Sequence, residues 1–468
     1  MTSNNAPQKQ KFGVLHDWRP EEPDFWGSGG RRIANRNLAI SIPALLLAFA
    51  LWMVFSAVVV SLPKIGFSFD TDQLFWLTAL PGLSGATMRI FYAFLVPIFG
   101  GRRWTAISTA LLMIPAMWLG FAVQDSATPF WHFMAIAILC GFGGGNFASS
   151  MSNISFFFPK AKQGYALGMN AGLGNVGVSV TQFLIPLVIT AGVFGALAGA
   201  PQTTIDGGTL YLQNAGFIWV PFLLICTLAA WFGMNDITAA RSSFAQQSVI
   251  FRRKHNWLIC WLYTGTFGSF IGYSAGFPML IKTQFPEINA LTYAFLGPLV
   301  GALARPVGGW LADKLGGAML TFWVFLLMSV AVFGVLLFLP TETSAGNFGG
   351  FLGMFMLLFV LTGIGNASTF GMIPVIFRTR RERELGPQST AEDHAVAARR
   401  AGIESAAVIG FSSAVGAYGG FFIPKSYGTS IALTGGPEMA LYAFIGFYAT
   451  CIAITWWWYY RRGAEVPC

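Results

Sequence analysis

Long apolar runs alternate with short polar stretches along nearly the whole chain. Twelve runs are predicted, at residues 37–62, 73–99, 104–123, 130–157, 165–194, 215–235, 257–280, 290–312, 318–339, 350–377, 402–430 and 439–460. Each is about 20 residues or longer, enough for a helix rising 1.5 Å per residue to cross the hydrocarbon core of a bilayer. Lipid offers no hydrogen bonds, so such runs become helices, which satisfy their backbone internally. The pattern therefore predicts an all-α membrane protein. It falls into a cytoplasmic segment 1–36, a six-helix half 37–235, a cytoplasmic connector 236–256, a second six-helix half 257–460 and a cytoplasmic tail 461–468. Residues 1–35 are polar and hold no apolar core of a cleavable signal.

The polar stretches set the orientation. With the N-terminus inside, the cytoplasmic stretches hold all of the 28 Lys and Arg except Lys64 and Lys282 outside, and Arg89, Arg305 and Lys425 within runs. That asymmetry places both termini in the cytoplasm. Composition agrees, because only 10% of residues are charged, against about 25% in soluble domains. The net charge of +9 raises nucleic acid as a partner. Its spread over short loops, with no RNA- or DNA-binding motif, excludes that and leaves the lipid bilayer as the partner. The cysteines (Cys140, Cys226, Cys260, Cys451 and Cys468) are odd in number and lack metal-ligand spacing, so free thiols are expected, with no metal and no cofactor.

Two charges interrupt the pattern deep inside a run. Arg89 and Arg305 lie deep in the second and eighth runs, each eleven residues before a Gly-Gly pair, Gly100-Gly101 and Gly316-Gly317. An arginine at the bilayer centre costs about 2.5–3.5 kcal/mol even on insertion scales, so it faces the protein interior and marks a functional site. The pair belongs to a repeat. A shift of 216 residues lays Leu80, Leu83, Gly85, Ala86 and Arg89 on Leu296, Leu299, Gly301, Ala302 and Arg305. Six runs per half joined by a basic connector is the pattern of the major facilitator fold, in which the substrate lies near the midplane between the halves. Gly309, Asp313, Lys314 and Gly316 match that fold's cytoplasmic motif. Asp313 is expected to latch against a helix N-terminus or a basic residue. The first-half copy, Gly100-Gly101-Arg102-Arg103, lacks the aspartate.

The fifth run carries Gly168, Gly172, Gly174 and Gly177, and the eleventh carries Gly410, Gly416, Gly419 and Gly420. Small residues at helical spacing let helices pack closely, and the smooth faces would also slide during transport. These two stretches resemble the paired glycine-rich signatures of the NarK-type nitrate/nitrite porters of the major facilitator superfamily. Asp17–Trp26, Phe147–Pro159 and Thr266–Phe277 are similar to the same family. The resemblance implies nitrate and nitrite as substrates, a bacterial inner-membrane location and no enzymatic activity. It implies that Arg89 and Arg305 clamp the anion, that Asn175 and Tyr263 are polar contacts, and that Phe147 and Phe267, with Phe370 as a further candidate, form aromatic walls. A monomer is expected.

The chemistry of these residue types fits such a cargo. Nitrate and nitrite are planar, and a guanidinium donates two parallel hydrogen bonds to two oxygens where an ammonium gives one point charge. An Asn amide and a Tyr hydroxyl supply further donors. No Asp, Glu or His lies mid-run; Asp70, Asp72, Glu404, His16, His132, His255 and His394 sit at ends or in loops. A proton symporter needs a titrating group, whereas anion exchange does not. At an effective dielectric of about 20, two unit charges 8 Å apart repel by roughly 2 kcal/mol, which disfavours return of an empty carrier. Lys425, near the outer end of the eleventh run, is expected to snorkel to the surface.

Other readings remain open from sequence alone. An organic-phosphate exchanger also uses paired arginines but calls for further Lys or His in its cavity. Nitrate/proton symport is not excluded by the resemblance. A nitrate sensor would need a signalling domain, for which the loops 236–256 and 378–401 are too short. No metal cluster or nucleophile–base pair supports an enzyme.

Overall fold

The computed structural model describes residues 13–238, 248–385 and 389–468. Every predicted run falls on a helix. These are α1 Pro23–Ile65, α2 Thr71–Phe99, α3 Gly101–Ala122, α4 Phe130–Phe157, α5 Lys160–Val188 and α6 Asn214–Gly233. There follow α7, running from Lys254–Tyr263 through a π-helical turn Thr264–Gly268 into Ser269–Gln284, and α8 Ala290–Leu315, α9 Gly317–Phe338, α10 Phe348–Arg383, α11 Ala391–Thr434 and α12 Glu438–Tyr460. Among the described residues, 10 helical stretches are long and apolar enough to cross a membrane by themselves. The chain divides into two compact units, Met1–Asp70 with Leu80–Ser242, and Thr71–Ala79 with Ser243–Cys468.

Within the first unit, α1 is the central helix, and α4 and α5 press against its backbone. A Cβ at Gly143 would lie 2.2 Å from the Ala48 carbonyl oxygen, and one at Gly177 would lie 2.1 Å from that of Leu46. Within the second unit, α7 meets α11 and α8 meets α10 in the same way. A Cβ at Gly419 would lie 2.3 Å from Gly268 Cα, and one at Gly363 would lie 2.1 Å from the Gly301 carbonyl oxygen. The signature glycines therefore split. Gly174, Gly177, Gly416 and Gly419 sit at close contacts, while Gly168, Gly172 and Gly410 have no atom within 4 Å of a would-be Cβ. Close packing, expected for all of them, does not explain those three.

The two Gly-Gly pairs do the same work in both units. Gly100 and Gly316 take left-handed φ values of 86° and 90° to cap the next helix, a conformation disfavoured by any side chain. In the first unit the orphan amide of Arg102 at the start of α3 donates to Asp236 Oδ1 at 2.8 Å, and Arg102 Nε donates to Oδ2 at 3.3 Å. In the second unit the matching amide, Ala318 at the start of α9, donates to the Cys468 carbonyl at 2.9 Å. The acceptor for this amide is thus a side chain from beyond α6 in the first unit and a backbone carbonyl of the tail in the second. Arg102 and Asp236 are both buried. Asp236→Ala leaves Arg102 buried without its carboxylate, so the unfolding free energy is expected to fall by about 3–5 kcal/mol, read as a loss of thermal stability in detergent.

The structure corrects several sequence readings. Asp313 lies in the last turn of α8, exposed, and makes no ion pair among the described residues; Lys314 instead lies 4.1 Å over the Trp310 ring. The expected latch at Asp313 is not formed. Lys425 does not snorkel. It pairs with Asp72 in the first turn of α2 and lies 4.8 Å over Trp76. The stretch 378–401 is largely helix rather than loop. A capping box, with Thr390 and Asp393 each accepting from the other's backbone amide, starts α11 well before its apolar run. Glu404 is therefore inside a helix, buried, and paired with Arg253 at 3.1 Å and with Arg381. Finally α5 ends at Val188 rather than near 194, and a hairpin of two-residue strands, Gln202–Thr203 and Thr209–Leu210, follows before α6. Much of the connector, 239–247, lies outside the described residues.

Candidate functional site

Arg89 comes from the middle of α2 and is 1% exposed. Its Nε donates to the Gly144 carbonyl of α4 at 2.9 Å. Its guanidinium carbon stands 4.6 Å from the Phe147 ring centroid, 5.0 Å from Trp52 and 5.8 Å from Phe49. A flat cation against aromatic faces is stabilised by the ring quadrupoles, by ~2 kcal/mol when desolvated, without neutralising its charge. The helices allow this approach because α4 is glycine-rich at that level. A Cβ at Gly144 would meet Trp52, and one at Gly145 would meet Met88 and Tyr92. Asn175 on α5 is fully buried, and among the described residues neither its amide nitrogen nor its oxygen has a hydrogen-bond partner.

In the second unit Arg305 holds the matching position on α8. Tyr263 of α7 hydrogen-bonds to it, and its enclosed Nη1 has no hydrogen-bond partner among the described residues. Tyr263 stacks on Phe267 at 5.3 Å and 14°, and the Phe370 ring of α10 stands 4.6 Å from it. The π turn Thr264–Gly268 follows directly on Tyr263 and contains Phe267, and such turns recur at functional sites because they release backbone from the regular ladder. Each unit therefore presents one deep arginine oriented by aromatic rings. Arg89, Phe147 and Asn175 belong to the first unit, and Arg305, Tyr263, Phe267 and Phe370 to the second. Donors of this type, aimed by packed rings, suit a small anion with several acceptor oxygens. Among the described residues no cluster of His, Cys, Asp or Glu is arranged to hold a metal.

Sequence reasoning did not single out Gly144, Trp52 and Phe49, which hold Arg89. It also missed two asparagines at equivalent points of α4 and α10. Gly145-Asn146 precedes Ala148-Ser149, and Gly365-Asn366 precedes Ala367-Ser368. A shift of 220 residues, rather than the 216 that relates the two arginines, lays one on the other.

The profile of the Major Facilitator Superfamily matches residues 44–391. The chain is 56% identical over 452 residues to the nitrate/nitrite transporter NarU of Salmonella typhimurium, covering 96% of each chain. It is 43% identical to a Thermus thermophilus protein named "Probable nitrate/nitrite antiporter NarK2", covering 97% of this chain and 98% of that one. Its fold resembles that of a bacterial homologue of the human lysosomal transporter Spinster, with a TM-score of 0.59 and 14% identity over 88% of this chain and 95% of the other. The chain belongs to the major facilitator superfamily, and within it to the NarK-type nitrate/nitrite porters. It is a multi-pass membrane transporter, not an enzyme.

Proposed function

We propose that this protein exchanges nitrate for nitrite across the bacterial inner membrane by alternating access, with both termini cytoplasmic and with Arg89 and Arg305 holding the anion. The names borne by its relatives support the substrates. The observation that carries the exchange reading is the charge inventory of the membrane helices. Two deep arginines have only one carboxylate for company within the predicted spans, Glu404, and that group is already paired with Arg253 and Arg381. A bound anion is then the natural counterion of the arginines. The protein crosses readily when loaded and poorly when empty, because two like charges drawn together in a poorly hydrated site repel.

Counterflow tests this directly. Proteoliposomes loaded with nitrite are expected to accumulate labelled nitrate, and vesicles loaded with an inert anion are expected to show little uptake. Equal uptake in the two cases overturns exchange.

The aromatic residues carry a smaller, separable effect. Phe147→Ala removes the ring closest to the Arg89 guanidinium, and Phe267→Ala removes the stacking partner of Tyr263. Each is expected to weaken nitrate binding about tenfold, the factor for a desolvated cation–π or ring contact of ~1.4 kcal/mol, without abolishing it. Tryptophan-fluorescence titration with nitrate measures this, and parental affinity in both variants assigns the rings to packing alone.

A further inference from the structure

Asn366 on α10 is 0% exposed, and neither atom of its amide has a hydrogen-bond partner among the described residues. Native proteins seldom leave a whole amide buried and unsatisfied, so each instance asks for an explanation. Only Asn175 and Asn256 share this condition among the described asparagines.

The surroundings of Asn366 follow from its neighbours on α10. One flank of α10 lies against α8 on both sides of Arg305. A Cβ at Gly363 would lie 2.1 Å from the Gly301 carbonyl and 3.1 Å from the Ala304 Cβ, and one at Gly308 would lie 2.6 Å from Ile364 Cα. The other flank lies against the π turn of α7. The Thr369 hydroxyl is 3.1 Å from that of Thr266, and Phe370 meets Tyr263. Asn366 falls three residues after Gly363 and three and four before Thr369 and Phe370, which helical spacing puts on the face between those flanks. That face looks toward Tyr263 and Arg305, which are joined by a hydrogen bond.

We infer that Asn366 is a further specificity-determining residue for the transported anion, donating from its amide nitrogen beside the Arg305–Tyr263 pair; this rests on the nitrate/nitrite reading above. The two substrates differ in one respect. Nitrate has a third oxygen where nitrite has only a lone pair on nitrogen. Arginine forks engage oxygens two at a time, so a separate donor for the third oxygen favours nitrate. An Asn amide supplies such a donor without adding charge. In the first unit Asn175 carries the same kind of unsatisfied amide. The matching run of the second unit, 402–430 on α11, holds no Asn or Gln, so the second unit has no amide on that helix, and Asn366 supplies one from a different helix.

The test uses the purified full chain. Nitrate and nitrite affinities are measured by fluorescence titration for the parent, Asn366→Leu, Asn366→Ser and Asn256→Leu, with thermal unfolding to show that each is folded. Asn256→Leu makes the same change at a buried unsatisfied amide two helical turns before Tyr263, so it controls for the loss of a buried polar group. Asn366→Leu is expected to lower the nitrate-to-nitrite affinity ratio about tenfold or more, the factor for losing a hydrogen bond to a charged group. Asn366→Ser, which keeps a donor in less volume and stands in should the leucine variant not fold, is expected to shift the ratio in the same direction but less. Asn256→Leu is expected to leave the ratio unchanged. An unaltered ratio in folded Asn366 variants, with normal nitrate binding by the parent, overturns this inference alone. A parent that binds neither anion overturns the proposed function and this inference with it.

Discussion

Arg305→Lys and Arg89→Lys are each expected to cut nitrate uptake about a hundredfold or more while the protein stays folded, because each forfeits a bidentate pair amounting to ~3 kcal/mol. Lysine keeps the positive charge, so the substitution isolates geometry from electrostatics. At position 305 the ammonium also loses the planar group that meets Tyr263. At position 89 it loses the Nε donor to Gly144 and the flat face against Phe147, Trp52 and Phe49. Initial rates of labelled nitrate uptake into nitrite-loaded proteoliposomes provide the measurement, and size-exclusion and thermal profiles provide the folding control. Uptake within a few-fold of the parent for either variant would show that a point charge suffices, and the planar clamp would have to be abandoned.

The second large effect concerns coupling. Uptake into vesicles free of nitrate and nitrite is expected to run about thirtyfold below exchange, the rate equivalent of a ~2 kcal/mol penalty on the empty crossing. Imposing a proton gradient is expected to change neither rate by more than about twofold, less than the ~10²-fold effect typical of an acid–base group. The carboxylates best placed to carry a proton are already engaged. Asp72 pairs with Lys425, and Glu404 pairs with Arg253 and Arg381. Strong uptake driven by a pH gradient into anion-free vesicles would refute exchange and point to one of these pairs as a relay.

What was legible in the sequence follows from what lipid enforces. A bilayer imposes length and hydrophobicity on every span, so each predicted run falls on a helix. Helix ends were less legible, because cap chemistry in water outruns the apolar pattern. Thr390 and Asp393 begin α11 in a stretch that hydropathy reads as loop, and α10 continues through the arginines Arg378, Arg380, Arg381 and Arg383. The arginines of the candidate site stood out because a charge in a span is conspicuous. Lys425 was misread because its partner is 353 residues away in sequence. Asp313 was misread because a local motif carries no information about which element reaches it. Asn366 went unnoticed because an uncharged amide hardly disturbs hydropathy; only an internal repeat betrays it.

The π turn in α7 also constrains how this helix can change over generations. Below the turn, Ser269 and Tyr273 reach the Tyr448 hydroxyl at 2.7 and 2.6 Å; above it, Tyr263 serves Arg305. A π turn closes its hydrogen bonds from i to i+5 and so absorbs one extra residue, which means that removing one residue within Thr264–Gly268 would restore a regular α-helix with the flanking segments near their present phase. Removing one residue from the regular stretches of α7 would instead rotate everything beyond it by about 100°, and the contacts on one side would be lost. Length is therefore expected to vary more freely in this turn than elsewhere along α7, and a scan of single-residue deletions would find its mildest loss of folding there.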